Sequence, residues 1–430
     1  MYFQKSICAS FFAAVIAAST TTNAGVFSTI YLFGDSLSDQ GNLFAASDSL
    51  IPGADNGVPR KDYYSDDGGT FGRFTNGKNW VDLFAENLDM YSLPTLHGGN
   101  NFAYGGTRNK HNIVELNSTK PPEVQALTSI IPGLQGDLFP EDAFPWTLQG
   151  QTTAFETLGV IDPDALYVVF SGSNDLSETV LMLAVGVLPS SENTLESWLF
   201  GVLLGVEQTI DTLIAAGAQE ILVPNLPNLG IVPGLVNSQL SGLATQISVQ
   251  YNSLLKTMLT TKEAKGVNVI HYDFYNLTTE ISIHPETFGF TNVTGQCYSG
   301  FVAPVVSESI TVCDKPQEYA FWDQEHPTTA VHKIMADRMS TQLLPDMLER
   351  LRLQITEIDA KTGKPILKKF KSAMKKLEDH NPKNDQAAIK KFESLIKKVK
   401  SKQRKKISED LASSIISRVE KIIGLLHLQL

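Results

Sequence analysis

An α/β fold with a doubly wound parallel sheet is what this 430-residue chain predicts, and three observations predict it. Four short apolar, β-branched runs are continuous rather than alternating, which suits strands buried on both faces of a parallel sheet. Each run ends in a polar or glycine-rich turn, and helical patterns lie between the runs, as in a βαβ architecture. The composition is globular, 42% hydrophobic and 19% charged, with no uninterrupted apolar run long enough to cross a membrane in the mature protein.

Taken in order, Thr29-Ile30-Tyr31-Leu32-Phe33 runs into Gly34-Asp35-Ser36, and Ala165 to Phe170 runs into Ser171-Gly172-Ser173-Asn174-Asp175. Glu220 to Val223 ends at Pro224-Asn225, and Val267 to Ile270 ends at His271-Tyr272-Asp273. Helical spacing marks Val206 to Ala216 before the third strand and Ile247 to Leu259 before the fourth. Ligands of such sheets bind beyond the carboxyl ends of strands, where two of these turns fall.

The first 24 residues read as a secretory signal, with Lys5, an apolar stretch from Ile7 to Ala18, and Thr22-Asn23-Ala24 as the cleavage site. Cys8 leaves with it. The exported chain then holds two cysteines, Cys297 and Cys313, read as one disulfide in an oxidising compartment. It closes a loop with 15 residues between the cysteines, worth roughly 3 kcal/mol in the chain-entropy account. That loop holds one charge, Glu308, and several apolar residues, among them Phe301, Val302, Val305, Val306 and Ile310; a surface staple and a lid are the two readings. The sequons at Asn117, Asn276 and Asn292 matter only in a glycosylating host.

The net charge of −11 conceals a split. Residues 351–430 carry 20 Lys+Arg against 9 Asp+Glu, which leaves 15 against 37 upstream. The expected organisation is therefore a signal at 1–24, an acidic body at 25–350 and a basic extension at 351–430. An acidic body repels phosphate, which excludes nucleic-acid binding by it. In the extension Ile366, Leu367, Phe370, Met374 and Leu377 recur at helical spacing. So do Ile389, Phe392, Ile396 and Val399, and then Ile407, Leu411, Ile415, Val419, Ile422 and Leu426. Pro365, Pro382 and Ser401–Arg404 separate these three stretches. They form either a small bundle with solvated lysines or a surface attracted to anionic membrane.

Serine-based ester hydrolysis needs a nucleophile, a base, a group to orient the base, and oxyanion donors. Ser36 follows an apolar strand in Gly34-Asp35-Ser36-Leu37, and no Gly-x-Ser-x-Gly elbow occurs anywhere. Asp323 and His326, in Trp322-Asp323-Gln324-Glu325-His326, are spaced to share one turn, so that the carboxylate can accept the imidazole Nδ1–H while Nε2 faces a serine. Glu325 is a poorly placed rival, and the other seven histidines have no comparable context. Asn101 to Thr107 brings Gly105 and Gly106, and Asn174 stands at a strand end. The Ser36 N–H, the Gly106 N–H and the Asn174 amide make a plausible oxyanion set.

In this order the four blocks resemble the GDSL, or SGNH, hydrolase family over about residues 27–345. The resemblance implies a flavodoxin-like three-layer sandwich. It assigns Ser36 as nucleophile, Asp323 and His326 as its partners, and Gly106 and Asn174 as donors. Spacing from Asn101 favours Gly106 over Gly105. Gly72 to Gly77 with Trp80 is similar to the lipase-like branch. The closed cysteine loop before the Asp-x-x-His turn resembles bacterial secreted phospholipases A, lysophospholipases and glycerophospholipid:cholesterol acyltransferases. Phospholipid and lysophospholipid substrates, a sterol acceptor, and a loop that restrains activity until an activating protease cuts it are what this resemblance implies. No metal or organic cofactor is implied. Apolar Val180–Leu188 and Leu199–Leu204 are read either as an acyl-chain surface or as core. A carbohydrate or short-chain esterase is the alternative enzyme, and a membrane- or partner-binding protein is the alternative class.

Overall fold

The computed structural model describes residues 27–48, 57–109, 147–159, 161–184, 186, 194–263, 267–302, 309–377 and 382–430. The signal segment, the Asn117 sequon, part of Val180–Leu188 and the centre of the cysteine loop lie outside the described residues. The chain divides into two compact units, one from Phe27 to Pro345 and one from Asp346 to Ile423.

In the first unit the four apolar runs form the strands β1 (Ile30–Gly34), β2 (Leu166–Phe170), β3 (Glu220–Pro224) and β4 (Asn268–Tyr272) of one parallel sheet. Every residue of β2 and β3 is buried, as continuous apolar runs require. A second segment lies on the free edge of β1. Leu32 N–H donates to the Asn100 carbonyl, and the Phe102 and Tyr104 N–H groups donate to the Leu32 and Gly34 carbonyls. After β1 the chain therefore goes first to this edge and then back across β1 to β2 on its other side. This makes the carboxyl end of β1 the topological switch point, where doubly wound sheets place their sites.

Helices cover both faces. Tyr31, Phe33 and Tyr167 meet Phe155 of helix Leu148–Glu156 on one face, while Phe170 meets Trp80 of helix Trp80–Asn87 and Phe274 of helix Phe274–Ile283 on the other. The helical stretches expected before β3 and β4 are longer than their apolar cores, at Leu195–Ala216 and Ser241–Glu263. Thr194 caps the first through the Ser197 N–H, and Gly217, with φ of +113°, ends it. A short parallel pair, β5 (Asn292–Gln296) and β6 (Tyr319–Phe321), flanks the cysteine loop.

The second unit is helical. It contains most of α9 (Leu344–Glu357) together with α10 (Ala360–Leu377), α11 (Pro382–Lys400) and most of α12 (Glu409–Leu428); the numbering counts α1 (Asn42–Asp48), α2 (Trp80–Asn87), α3 (Leu148–Glu156), α4 (Ser173–Ala184), α5 (Leu195–Ala216), α6 (Ser241–Glu263), α7 (Phe274–Ile283) and α8 (Thr329–Gln342) before them. Three amphipathic stretches were legible, but α9 falls across the composition change and escaped the pattern. Pro365 is not a separator: it lies inside α10. It sits near the amino end, where losing one N–H donor removes a single bond from the ladder. The apolar stripes of α10 to α12 are buried, including Ile366, Phe370, Phe392, Leu395, Val399, Ile415 and Val419. Phe370 and Phe392 pack edge to face with ring centroids 6.4 Å apart.

Candidate active site

The turn after β1 is built around two buried aspartates. Gly34 leaves no room for a side chain: an added Cβ would stand 2.3 Å from the Phe170 carbonyl oxygen. The buried Gln151 amide bonds both the N–H and the carbonyl of Gly34, at 2.8 Å each. Asp35 accepts the Leu37 N–H through its carboxylate, while its carbonyl accepts from Ser38 and Asp39. Burial raises its pKa to about 6, with the Leu37 N–H and His326 pulling the other way. Asp39 accepts from the Gly41, Asn42 and Leu43 N–H groups at the start of α1, and also from the Gly105 N–H at 2.8 Å. Asp39 thus caps a helix and pins the Asn101–Thr107 block to the serine turn.

Within this frame the side chains singled out in the sequence come together. His326 Nε2 lies 2.9 Å from Ser36 Oγ, and its Nδ1 lies 2.8 Å from Asp323 Oδ2. Asp323 Oδ1 accepts the backbone N–H groups of Glu325 and His326, which curls Asp323 to His326 into a tight turn. The Trp322 N–H donates to the His326 carbonyl and closes it. Glu325 is exposed and makes no side-chain hydrogen bond to His326 among the described residues. Burial opposes ionisation of both partners. It would raise Asp323 and lower His326, but the mutual attraction and hydrogen bonds outweigh it, so the carboxyl sits below its ordinary range and the imidazole above its own. Among the other described histidines, His332 is buried and lowered to about 3 by that burial, which keeps it neutral.

Gly105 and Gly106 differ in hydrogen bonding. The Gly105 N–H is spent on Asp39. Gly106 has φ of +81° and open space where a Cβ would point, and its N–H has no partner among the described residues. The same holds for the Ser36 N–H. Asn174 gives one amide proton to the Thr107 carbonyl at 2.9 Å, so its second proton remains to donate. It stands in the first turn of α4, where the helix favours negative charge.

Three residues support the site: Tyr64 and Arg108 carried no signal in the sequence, and Phe74 stood only within the Gly72–Gly77 resemblance. Buried Tyr64 donates its hydroxyl to Asp323 Oδ2 at 2.7 Å. Arg108 donates through one terminal nitrogen to the Gly106 carbonyl at 2.8 Å and is itself held by Glu178 of α4. It therefore fixes the peptide next to the Gly106 donor. The ring of Phe74, from the Gly72–Gly77 stretch, lies 5.1 Å from the imidazole. That stretch also ties the histidine turn down: Thr75 donates to the Pro327 carbonyl, and Asn76 accepts the Thr329 N–H. Apart from the Arg108–Gly106 bond, these contacts join residues remote in sequence, so no spacing rule could reveal them.

Cys297 and Cys313 form a disulfide. Cys297 and Tyr298 continue from β5 and donate to the Phe321 and Trp322 carbonyls, so the neck of the loop lies directly against the strand leading into Asp323. Tyr298 stacks on Trp322, and Tyr64 packs edge-on to both. Val302, inside the loop, packs against this aromatic cluster and also against the Leu43–Phe74–Tyr104 cluster.

A doubly wound sheet with a serine, histidine and aspartate in hydrogen-bonded line at its switch point defines the class: an ester hydrolase. The family model described as GDSL-like Lipase/Acylhydrolase matches residues 30–339, and the chain belongs to that family. It is similar to a GDSL esterase/lipase of Arabidopsis thaliana, 27% identical over 72% of this chain and 86% of that protein. A second GDSL esterase/lipase of the same plant is 25% identical over 79% and 90%. The phosphatidylcholine-sterol acyltransferase of Aeromonas hydrophila is 25% identical over 73% of this chain and 90% of its own length.

Proposed function

We propose that this chain is an exported serine esterase that releases fatty acids from phospholipids and lysophospholipids and can pass the acyl group to a lipid alcohol such as a sterol. The observation that carries this reading is the line from Asp323 through His326 to Ser36, beside three donors with protons to spare. Ser36 Oγ attacks the ester carbonyl carbon while His326 Nε2 takes its proton. The carbonyl oxygen becomes an oxyanion held by the Ser36 and Gly106 N–H groups and the Asn174 amide. As the tetrahedral species collapses, the glycerol oxygen leaves with the proton from His326. Water or a lipid alcohol then gives its proton to His326 and attacks the acyl-enzyme, and Ser36 recovers its hydrogen.

The lipid reading is supported by the apolar Leu43–Phe74–Tyr104 cluster beside the imidazole and by the similarity to the phosphatidylcholine-sterol acyltransferase of Aeromonas hydrophila. Leu199–Leu204 contributes to both earlier readings: Leu199, Val202 and Leu203 are buried in the fold, while Phe200 and Leu204 are exposed on α5. The double packing of Val302 supports a gating role for the cysteine loop, released when a protease cuts it.

Product analysis tests this. Mature protein, with its loop intact or nicked, is given mixed phospholipid, lysophospholipid and sterol beside Ser36→Ala. Free fatty acid or sterol ester should form and fall by about a millionfold in kcat in the variant. Turnover that survives Ser36→Ala would remove the serine mechanism. Turnover of short-chain or sugar esters alone would remove the lipid assignment.

A further inference from the structure

Helix α10 (Ala360–Leu377) carries Lys361, Lys364, Lys368, Lys371 and Lys375, all exposed. Their spacings of three and four residues place them in one stripe, about 21 Å long at 1.5 Å rise per residue. The helix contains no acidic residue. Its opposite side, with Thr362, Gly363, Ile366, Phe370 and Ala373, is buried. Among the described residues none of the five ammonium groups pairs with a carboxylate. On the neighbouring α11 (Pro382–Lys400), Lys390, Lys391 and Lys397 are likewise exposed, opposite buried Phe392, Leu395 and Val399. A helix gains nothing in stability from five like charges at i, i+3 and i, i+4, since such neighbours repel.

We propose that this lysine face docks the protein, by charge alone, on an anionic phospholipid bilayer. The apolar stripes that would let these helices sink into a membrane are already spent on the core of the bundle. What faces outward is therefore a line of cations suited to a plane of negative headgroups rather than to insertion. The aromatic rings of α10 and α11, Phe370 and Phe392, are buried, so the face offers no stacking platform of the kind single-stranded nucleic acid uses. Docking of this kind holds an enzyme on the surface that contains its substrate, and in that respect it rests on the lipid-ester reading above.

The test uses the full mature chain in vesicle co-sedimentation, with phosphatidylcholine alone and with one third phosphatidylglycerol, at low and physiological salt. Wild type and Ser36→Ala should bind anionic vesicles equally, leave zwitterionic ones in solution, and release as salt rises. Each lysine near such a surface contributes about a fivefold factor, so Lys364→Gln/Lys368→Gln/Lys371→Gln should weaken partitioning on the order of 100-fold. Its circular dichroism and thermal unfolding should match the wild type, which shows that the helical unit folds, and its hydrolysis of a soluble short-chain ester should stay unchanged. Equal binding to zwitterionic vesicles, salt-insensitive binding, or unweakened binding by the triple variant would overturn the proposal. So would tighter binding to a DNA duplex than to the anionic vesicles. Because Ser36→Ala retains the lysine face, loss of turnover and loss of docking are read separately.

Discussion

In the hydrolase unit the charges near Ser36 are buried and held: Asp39 by four backbone N–H groups, Asp323 by His326 and Tyr64, Arg108 by Glu178 and the Gly106 carbonyl. In the helical unit the five lysines of the α10 stripe, Lys361, Lys364, Lys368, Lys371 and Lys375, are exposed and pair with no carboxylate among the described residues. The first arrangement combines tight local turns with contacts across the fold, Gly105 to Asp39, Tyr64 to Asp323 and Arg108 to Glu178, that join segments 66 to 259 residues apart. The second is set by the 3.6-residue period alone, which turns every polar position of an amphipathic helix outward. The comparison teaches where a charge can be read as chemistry. Buried charge needs partners and so defines a site, whereas exposed charge on a regular stripe defines a surface.

The comparison is broken most severely at the oxyanion donors. Asn174→Ala should lower kcat about 10²- to 10³-fold with little change in KM, because the amide acts on charge that exists only in the transition state. A loss confined to KM would remove Asn174 from that role. A smaller effect is expected behind the triad. His326 must be neutral to accept the serine proton, and its pKa is raised, so kcat/KM should climb with pH through an inflection above the ordinary histidine value of about 6.5. Tyr64→Phe removes a donor from Asp323 and leaves more negative charge facing the imidazolium. The inflection should move to still higher pH, with kcat reduced roughly tenfold. An inflection that stays in place or falls would show that Tyr64 does not act through Asp323. The smallest effect on turnover is expected from the other unit. Phe392→Ala empties a buried position in the bundle and should cost about 3–5 kcal/mol of its stability by thermal unfolding. Hydrolysis of a soluble ester should persist at temperatures where the hydrolase unit remains folded, and a parallel loss of activity would join the two units.

Much of this was legible in the chain. The four strands lie within a residue or two of their apolar runs, since uninterrupted Val, Ile, Leu and aromatic residues between turn signals have few other stable arrangements. Ser36, Asp323 and His326 could be found because strand-to-turn context and a three-residue spacing are local properties. The helix α9 could not, since it straddles the change in composition. Nor could the continuity of α10 through Pro365, which depends on where in a helix the missing donor falls.

What the sequence by itself determined was the class of sheet, the charge division between acidic body and basic extension, and the candidates for the reacting side chains, because each follows from periodicity, composition or short spacing. The tertiary structure decided which glycine keeps a free N–H, since Asp39 claims Gly105 from 66 residues away and leaves Gly106 open. It also brought Tyr64 to Asp323 across 259 residues and Arg108 to Glu178 across 70. Such pairings arise only when chain segments are packed into one core, and the physical reason is simple: a buried polar group must find its partner wherever the fold supplies one.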